Sequence, residues 1–236
     1  MGIENSVALV TGANRGLGRH LAAALVERGA AKVYAAARNP STIDLPGVHP
    51  LRLDITDPEQ VAAAAAAAGD TTLLINNAGI STGASLLGGD PADIRLELET
   101  NFFGTLNMTR AFAPILTANG GGAVLNVLSV LSWLHIPPYG AYSAAKTAAW
   151  SLTNSLRLEL EPLGVSVAAL HVGFMDTDMA AGVDSPKSDP AVVAAAALDG
   201  VQAGAREVIA DDFSRQVRSS LSADLEALYP RQAATA

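Results

Sequence analysis

Residues 6–18 read SVALVTGANRGLG, and this stretch sets the expectation for the rest of the chain. An apolar run ends at Gly12, and from Arg15 onward Leu17 and Leu21 recur at helical spacing, which predicts a strand, a tight turn and a helix. Glycines in such a turn let the backbone approach a pyrophosphate closely, and the N–H groups at the helix start attract its charge. A glycine-rich turn can also be a turn that binds nothing. Its place between a first strand and a first helix favours dinucleotide binding.

Strand and helix patterns alternate along the rest of the chain. Strands are predicted at residues 6–11, 32–37, 49–54, 71–76, 123–128, 165–170 and 207–210, with helices between them and an irregular loop at 172–189. This alternation predicts an α/β fold of the Rossmann type, a doubly wound, seven-stranded parallel sheet with helices on both faces. We expect a single domain over residues 1–236, with a frayed tail after Pro230. The ligand crevice should lie over the carboxyl ends of the first and fourth strands.

The composition excludes several classes of protein. Residues are 50% hydrophobic and 16% charged, and no apolar run approaches the ~18 residues that suggest a membrane span. A net charge of −8 argues against a nucleic-acid surface, and the lack of cysteine excludes disulfides and thiol chemistry. The four histidines are scattered without carboxylates at ligand spacing, so we expect no metal site. The first residues do not resemble a signal peptide, so we expect a cytoplasmic protein without membrane partners.

The end of the second predicted strand indicates which dinucleotide is preferred. In this type of sheet, an acidic residue at that position binds the 2′-hydroxyl of an adenosine ribose. Ala37 and Arg38 stand there instead, and a guanidinium suits a 2′-phosphate, which a carboxylate would repel. Arg15, in the glycine turn, is a second candidate cation for the same phosphate. The pattern therefore favours NADP(H) over NAD(H), the alternative being that both arginines are solvated surface charges.

Tyr142 and Lys146 are four residues apart on a predicted helix, so a phenol and an ammonium share one face. A nearby cation favours the phenolate, which predicts that Lys146 lowers the tyrosine pKa and makes it a useful acid or base. Two further polar residues lie at notable places. Asn101 is a mediocre helix former inside a long helix predicted from residue 91 to 113. Ser129 ends the fifth predicted strand, where it is either a strand-end cap or part of a ligand site.

Together these stretches resemble the short-chain dehydrogenase/reductase family over residues 7–210. The family's glycine motif TGxxxGxG matches Thr11, Gly12, Gly16 and Gly18. Its NNAG motif matches residues 76–79, and its acidic residue after the third strand matches Asp54. The catalytic tetrad of the family matches Asn101, Ser129, Tyr142 and Lys146, with the family's spacing between the serine and the tyrosine.

The resemblance implies hydride transfer between nicotinamide and the carbon of a carbonyl or alcohol. Tyr142 would be the general acid/base and Ser129 would hold the substrate oxygen. Lys146 would tune Tyr142 and bind the nicotinamide ribose, while Asn101 would hold a water that links Lys146 to solvent. The dinucleotide contacts implied are Gly12, Asn14, Arg15, Gly16, Leu17, Gly18, Arg38, Asp54, Ile55, Asn77, Ala78, Gly79, Tyr142, Lys146, Gly173 and Thr177.

Two regions depart from the family pattern. Val172 stands where a proline usually precedes Gly173, which predicts a looser turn and a less certain place for Thr177. The segment after the seventh strand is short, and in the family this segment often completes the substrate pocket or a subunit contact. From the loops we expect Trp133, Leu134, His135, Ile136 and Met179 to line a largely apolar substrate pocket, with surface or interface packing as the alternative for His135.

These observations predict an NADP(H)-dependent oxidoreductase of a small-molecule carbonyl or alcohol. The alternative is a catalytically silent NADP-binding sensor or scaffold of the same fold. The family usually pairs the helices that carry Asn101 and Tyr142, so a homodimer or homotetramer is expected. Phe102, Phe103, Trp150 and Leu152 are the candidate interface positions.

Overall fold

The computed structural model describes residues 2–229. Within this range, seven strands form one sheet in the order β3-β2-β1-β4-β5-β6-β7, and every neighbouring pair is parallel. The strands are β1 Val7–Thr11, β2 Lys32–Ala37, β3 His49–Arg52, β4 Leu73–Asn76, β5 Gly122–Val127, β6 Val165–His171 and β7 Glu207–Ile209. The doubly wound parallel sheet predicted from the sequence is confirmed. The strand order runs outward from β1 to β3 on one side and from β4 to β7 on the other, so the switch point of the sheet lies between the neighbouring strands β1 and β4.

Helices cover both faces of the sheet. They are α1 Gly16–Glu27, α2 Pro58–Ala67, α3 Pro91–Leu98, α4 Thr105–Ala118, α5 Gly140–Leu160, α6 Pro190–Gln202, α7 Asp212–Ser220 and α8 Leu225–Leu228. Successive side chains of a strand point to opposite faces. In β1, Ala8 and Val10 therefore join the cluster under α1 and α6, whereas Leu9 joins the cluster under α2, α4 and α5. Both faces of the strand are apolar because both are buried.

Several element ends differ from the sequence expectation for local reasons. The third strand stops at Arg52, before residue 54, because Asp54 turns the chain by accepting hydrogen bonds from the N–H and hydroxyl of Thr56. The fourth strand begins at Leu73 because Thr71 is still bonded to the end of the preceding helix. The long helix predicted over 91–113 is wrong in one respect, since a π-helical turn at Glu99–Gly104 separates α3 from α4.

A buried amide network ties β4 and β5 to two helices. The Asn76 side chain donates to Thr109 on α4 (3.1 Å) and to Asn126 on β5 (2.9 Å). Asn126 in turn donates to the Thr153 hydroxyl on α5 (2.9 Å). Buried polar groups stabilise a structure when they are hydrogen-bonded to one another in this way. These bonds give Asn76 a structural role between the sheet and α4.

Two short helices, α7 and α8, follow the last strand. The frayed tail expected after Pro230 lies outside the described residues. Among residues 2–229, no helix combines the length and hydropathy needed to cross a bilayer. In the same range, no group of three or more histidine, cysteine, aspartate or glutamate side chains is placed to hold a metal ion.

His171 closes β6 and is fully buried. Its ring stacks on the Trp133 indole, with centroids 3.7 Å apart. Its Nδ1 lies 3.1 Å from the Ser129 carbonyl oxygen, so Nδ1 carries the hydrogen, because a carbonyl only accepts. Burial lowers the His171 pKa from 6.5 to about 4 and outweighs the bond to Ser129, which raises it. The imidazole is therefore neutral in the folded protein at neutral pH.

We expect His171 to make the fold acid-sensitive. Its pKa is lower in the folded protein than in the unfolded chain, so the unfolded chain takes up the proton first as pH falls. The His171 contribution is complete above about pH 6.5 and is lost between 6.5 and 4, on the order of 3 kcal/mol. Urea denaturation of wild type and His171→Gln at pH 7 and pH 4.5 measures this loss.

The variant should lose less stability than wild type over this interval. His49→Gln is the matched control because His49 is exposed, and it should behave like wild type. Equal losses in wild type and His171→Gln would contradict the expectation.

Candidate active site

The carboxyl ends of β1 and β4 are joined through Thr11. Its hydroxyl oxygen accepts hydrogen bonds from the backbone N–H groups of Asn77 and Ala78, both at 2.9 Å. The Asn77 side chain donates to the Thr11 carbonyl oxygen at 2.8 Å. These bonds hold the segment after β4 against the glycine turn. They also show that Asn77 supports the turn in addition to facing the space above it.

The glycine turn leaves no room for side chains at its closest points. Gly12 and Gly16 have φ values of +65° and +52°, a region that favours glycine. A Cβ on Gly18 would lie 2.2 Å from the Gly12 carbonyl oxygen and 2.4 Å from the Asn77 side-chain nitrogen. Helix α1 begins here with Arg15 at its N-cap, and no side chain caps its first N–H groups. The turn therefore presents free backbone donors and the positive end of a helix.

A cavity of about 590 Å³ opens above this turn. Every residue named from the sequence as a dinucleotide contact lies on its wall, together with Ser129 and Met179. These residues come from loops and helix ends that are far apart in the sequence, and the fold brings them to one edge of the sheet. The cavity thus joins the glycine turn, the NNAG segment and the end of the second strand.

The donors on the wall fit a nicotinamide dinucleotide. The N–H groups at the start of α1 suit a pyrophosphate. Arg38 is exposed and makes no hydrogen bond or ion pair with any other residue of the described range. Arg15 is exposed as well, and its guanidinium pairs with Asp178 at 3.3 Å. Asp54 lies nearby on the wall, with one carboxylate oxygen used by Thr56.

Three of the four tetrad residues face the cavity. Ser129 follows β5, whereas Tyr142 and Lys146 lie one turn apart on α5. The Lys146 ammonium donates to the Val127 carbonyl oxygen at 2.9 Å and lies 5.6 Å from the centre of the Tyr142 ring. The Ser129 hydroxyl accepts from the Leu131 N–H, as the cap of a short 3₁₀ turn. Ser129 therefore caps the turn after β5 and also lies on the cavity wall.

The pKa values of the tyrosine and the lysine move in opposite directions. Burial raises the pKa of Tyr142 above its usual 10.0, and the Ser129 hydroxyl acts in the opposite sense. Burial lowers the pKa of Lys146 from 10.5 to about 8. The net shift of Tyr142 is opposite to the expectation from sequence, because loss of water from the phenol is the dominant effect. At neutral pH the phenol holds its proton, the form that a proton donor requires.

Asn101 lies behind the cavity wall, buried within the π-helical turn. Its side-chain nitrogen donates to the carbonyl oxygens of Ile80 and Glu97, both at 3.0 Å, and its side-chain oxygen accepts from the Ile80 N–H at 3.3 Å. These bonds explain an asparagine in mid-helix, since it pins the segment after β4 to the helix. A π-helical turn at such a place is common near functional sites.

The turn after β6 is well held despite the missing proline. Val172 is buried, and its carbonyl oxygen accepts from the Val130 N–H at 2.9 Å. The Gly173 N–H donates to the Asp211 carboxylate at 2.7 Å. The looser turn expected from Val172 is therefore wrong. Thr177 follows this turn and lies over Gly16, where an added Cβ would be 3.4 Å from its methyl group.

Three residues expected in the substrate pocket, Trp133, Leu134 and His135, do not lie on the wall of this cavity. Trp133 and Leu134 are buried in a cluster with Val217 of α7, because the 3₁₀ turn before them directs both inward. His135 is exposed and packs on Tyr229, whose hydroxyl accepts its backbone N–H at 3.0 Å. Met179 does line the cavity.

Other apolar side chains take the place of those three. Ile136, which was expected in the pocket, also lies on the cavity wall, and the wall residues that were not expected include Tyr139, Phe174, Val183 and Phe213. They come from the loop before α5, the loop after β6 and the start of α7. Their types alone gave no signal, because large apolar residues in loops are equally common in packing contacts.

Comparison with known proteins agrees with this geometry. A family model described as short chain dehydrogenase matches residues 6–188. The 3-ketodihydrosphingosine reductase of Bacteroides thetaiotaomicron is 31% identical over 179 residues, which cover 74% of this chain and 66% of that protein. The chain thus spans about two thirds of the length of this relative.

Solved structures of related proteins cover a larger share of this chain than the Bacteroides relative does. A short chain dehydrogenase of Burkholderia cenocepacia in complex with NADP has a TM-score of 0.93 and 45% identity, covering 97% of this chain and 98% of that one. A short chain dehydrogenase/reductase of Burkholderia phymatum in complex with NAD has a TM-score of 0.84 and 26% identity, covering 92% and 93%. The chain belongs to the short chain dehydrogenase/reductase family of oxidoreductases.

Proposed function

We propose that this protein transfers a hydride between NADP(H) and the carbon of a carbonyl or alcohol. The observation that carries the proposal is that Ser129, Tyr142 and Lys146 share the wall of the cavity that the glycine turn also lines. A proton donor, a hydroxyl and a buried cation thus stand within one space that has room for a dinucleotide. Such placed donors stabilise charge that develops on a substrate oxygen.

Each side chain has a distinct task in the reductive direction. The nicotinamide, when bound, supplies the hydride. Tyr142 breaks its phenolic O–H bond and gives the proton to the substrate oxygen, which becomes a hydroxyl. Ser129 donates a hydrogen bond to the same oxygen, and Lys146 stabilises the phenolate that Tyr142 becomes. In the oxidative direction the same groups act in reverse.

The preference for NADP(H) rests on two cations at the end of β2 and in the glycine turn. Arg38 has no polar partner within the described residues, so its guanidinium is available for a 2′-phosphate. Arg15 is already paired with Asp178, and a phosphate would compete with that carboxylate. Arg38 therefore carries most of the preference. The NADP-bound relative at 45% identity supports this assignment, whereas the NAD-bound relative is more distant.

The apolar wall indicates the substrate class. Tyr139, Phe174 and Phe213 lie on the cavity wall with Met179, which is 57% exposed at its mouth. Apolar and aromatic linings with few polar groups bind ligands through buried hydrophobic area. We propose a carbonyl or alcohol flanked by apolar groups as substrate.

A homodimer through the π-helical turn, α4 and α5 is the proposed assembly. Phe103 and Leu158 are large apolar side chains that are 45% and 73% exposed. Trp150 packs inward on Trp133, with ring centroids 6.3 Å apart, and so offers less to a partner than the sequence analysis expected. Sedimentation equilibrium should give a mass above that of one chain in wild type, and a lower mass in Leu158→Glu. A monomeric wild type would contradict this proposal.

Replacing Tyr142 should abolish most of the activity. We expect Tyr142→Phe to reduce the rate of NADPH oxidation with carbonyl compounds by roughly 10²-fold or more, because the proton donor is removed. Absorbance of NADPH against a panel of apolar ketones and aldehydes measures this rate. Tyr34→Phe is the control, since Tyr34 lies on β2 outside the cavity and its hydroxyl bonds Asp70.

The alternative of a silent NADP-binding protein gives a different result. In that case wild type would bind NADPH, as measured by fluorescence, yet turn over no carbonyl compound faster than Tyr142→Phe. The presence of all four tetrad residues argues for turnover.

Reversing the charge at Arg38 should reverse the cofactor preference. Arg38→Asp is expected to weaken NADPH binding by roughly 10- to 100-fold, because a charge-assisted hydrogen bond is lost and the new carboxylate repels the phosphate. NADH binding should change little. Titration calorimetry with both nucleotides measures the two affinities.

Arg206→Asp controls for the change in net charge, because Arg206 pairs with Glu161 at the other edge of the sheet. It should leave both affinities unchanged. A wild type that binds NADH more tightly than NADPH would refute the role of Arg38.

A further inference from the structure

Glu97 is a buried acid that the mechanism above does not use. It lies on α3, one helical turn before Asn101, and its side chain has no exposed surface. Burial of a carboxylate is costly unless hydrogen bonds or an opposite charge compensate it. Within the described residues, no lysine or arginine nitrogen lies within ion-pair distance of Glu97. Its place in the core therefore requires a reason.

The hydrogen bonds of Glu97 lead to the cavity wall. Its Oε1 accepts from the N–H of Thr82 at 2.8 Å and from the Thr82 hydroxyl at 2.6 Å. Its carbonyl oxygen accepts from the Asn101 side chain at 3.0 Å, and the same side chain bonds Ile80. The Glu97 carboxylate thus holds the segment after β4 at Thr82, whereas its main-chain carbonyl helps to hold the Asn101 side chain that bonds Ile80. Its second oxygen, Oε2, is buried and has no hydrogen-bond partner in the described chain.

Lys146 is a buried cation of the candidate site with no carboxylate within ion-pair distance in the described part of the chain. It is 5% exposed, and its ammonium donates to the Val127 carbonyl oxygen. Gly79 lies between Asn101 and Lys146. A Cβ atom added to Gly79 would be 2.7 Å from the Asn101 side-chain oxygen and 3.6 Å from the Lys146 side-chain nitrogen. Lys146, Gly79 and Asn101 are therefore consecutive neighbours, and the main-chain carbonyl of Glu97 accepts a hydrogen bond from the last of them. Helices α3 and α5 also pack together.

The two groups whose pKa values respond to the charge of Glu97 both lie on α5. Helix α5 brings Tyr142 and Lys146 toward this carboxylate, and the charge of Glu97 raises the pKa of both. The segment after β4 contributes Thr82, which does not titrate, and the π-helical turn contributes Glu99, which is exposed. An opposite charge favours the ammonium form of a buried lysine. Glu97 thus opposes the effect of burial on Lys146.

We propose that Glu97 is the buried counter-charge of Lys146 and, through it, a positioning residue for proton transfer at Tyr142. The second part rests on the proposed function, because it concerns the proton that Tyr142 gives to substrate. The first part concerns the protein alone. Without the carboxylate, Lys146 and Tyr142 would both lose their protons at lower pH.

Nuclear magnetic resonance of lysine tests the first part without any activity. The chain has three lysines, Lys32, Lys146 and Lys187, so protein labelled with ¹³C-lysine gives three ε-carbon signals. Lys32→Arg and Lys187→Arg assign them. In wild type the Lys146 signal should titrate near its pKa of about 8.

In Glu97→Gln the Lys146 midpoint should move lower by roughly one unit. Glu99→Gln is the matched control, since the same change is made two residues away on an exposed side chain, and its midpoint should equal that of wild type. If Glu97→Gln folds poorly, Glu97→Met removes the charge with an apolar chain of similar length and should show the same lowered midpoint. A Lys146 midpoint that stays at the wild-type value in the folded variant overturns the proposal.

The pH dependence of carbonyl reduction tests the second part. The alkaline limb of kcat should move to lower pH in Glu97→Gln by about the shift seen for Lys146, and not in Glu99→Gln. A purely structural role would lower kcat at all pH values without moving the limb, which would overturn the positioning role. A wild type with no turnover, but with the Lys146 midpoint moved by Glu97→Gln, would refute the proposed reaction and leave the counter-charge established.

Discussion

The contact between Thr11 and the segment after β4 is the constraint on which the rest of the molecule depends. One hydroxyl oxygen accepts two backbone N–H groups of residues 77 and 78, and the Asn77 amide returns a bond to the Thr11 carbonyl. These bonds join β1 and β4, the neighbouring strands between which the switch point of the sheet lies. Because the backbones approach so closely, Gly18 tolerates no side chain. The cavity exists because this approach leaves the helix start open above it.

Burial shifts the pKa values of both Tyr142 and Lys146, and the shift favours the protonated form of the tyrosine but not that of the lysine. Removing water from Tyr142 keeps its proton in place, while the same effect on Lys146 works against the charge that makes the lysine useful. The two groups share one environment, so they cannot be tuned independently by burial alone. A buried carboxylate one helix away resolves this conflict, since its charge acts on both groups in the same direction. The acidity of the site is thus a property of α3 and α5 together.

Local patterns predicted what local geometry controls. The glycine turn and the alternation of strands predicted the sheet, and the spacing of Tyr142 and Lys146 placed both on one helix face. The loop residues Trp133 and Leu134 were misplaced because their direction depends on packing against Val217, which lies far along the chain. The Tyr142 pKa was misjudged for a similar reason, since its burial results from the whole fold. The role of Glu97 could have been suspected from the sequence, because an acid four residues before Asn101 lies on the same face of a helix.

The π-helical turn at Glu99–Gly104 makes chain length as important as residue identity. A π turn closes over one more residue than an α turn, and each residue of a helix advances it by about 100°. Deleting a single residue here would let α3 and α4 merge into a regular helix with little change in the direction that either faces, but the widened turn that holds Asn101 against Ile80 would be lost. The segment after β4 would then lose this tie to the helix. Substitutions in this segment should therefore be tolerated more readily than a change in its length.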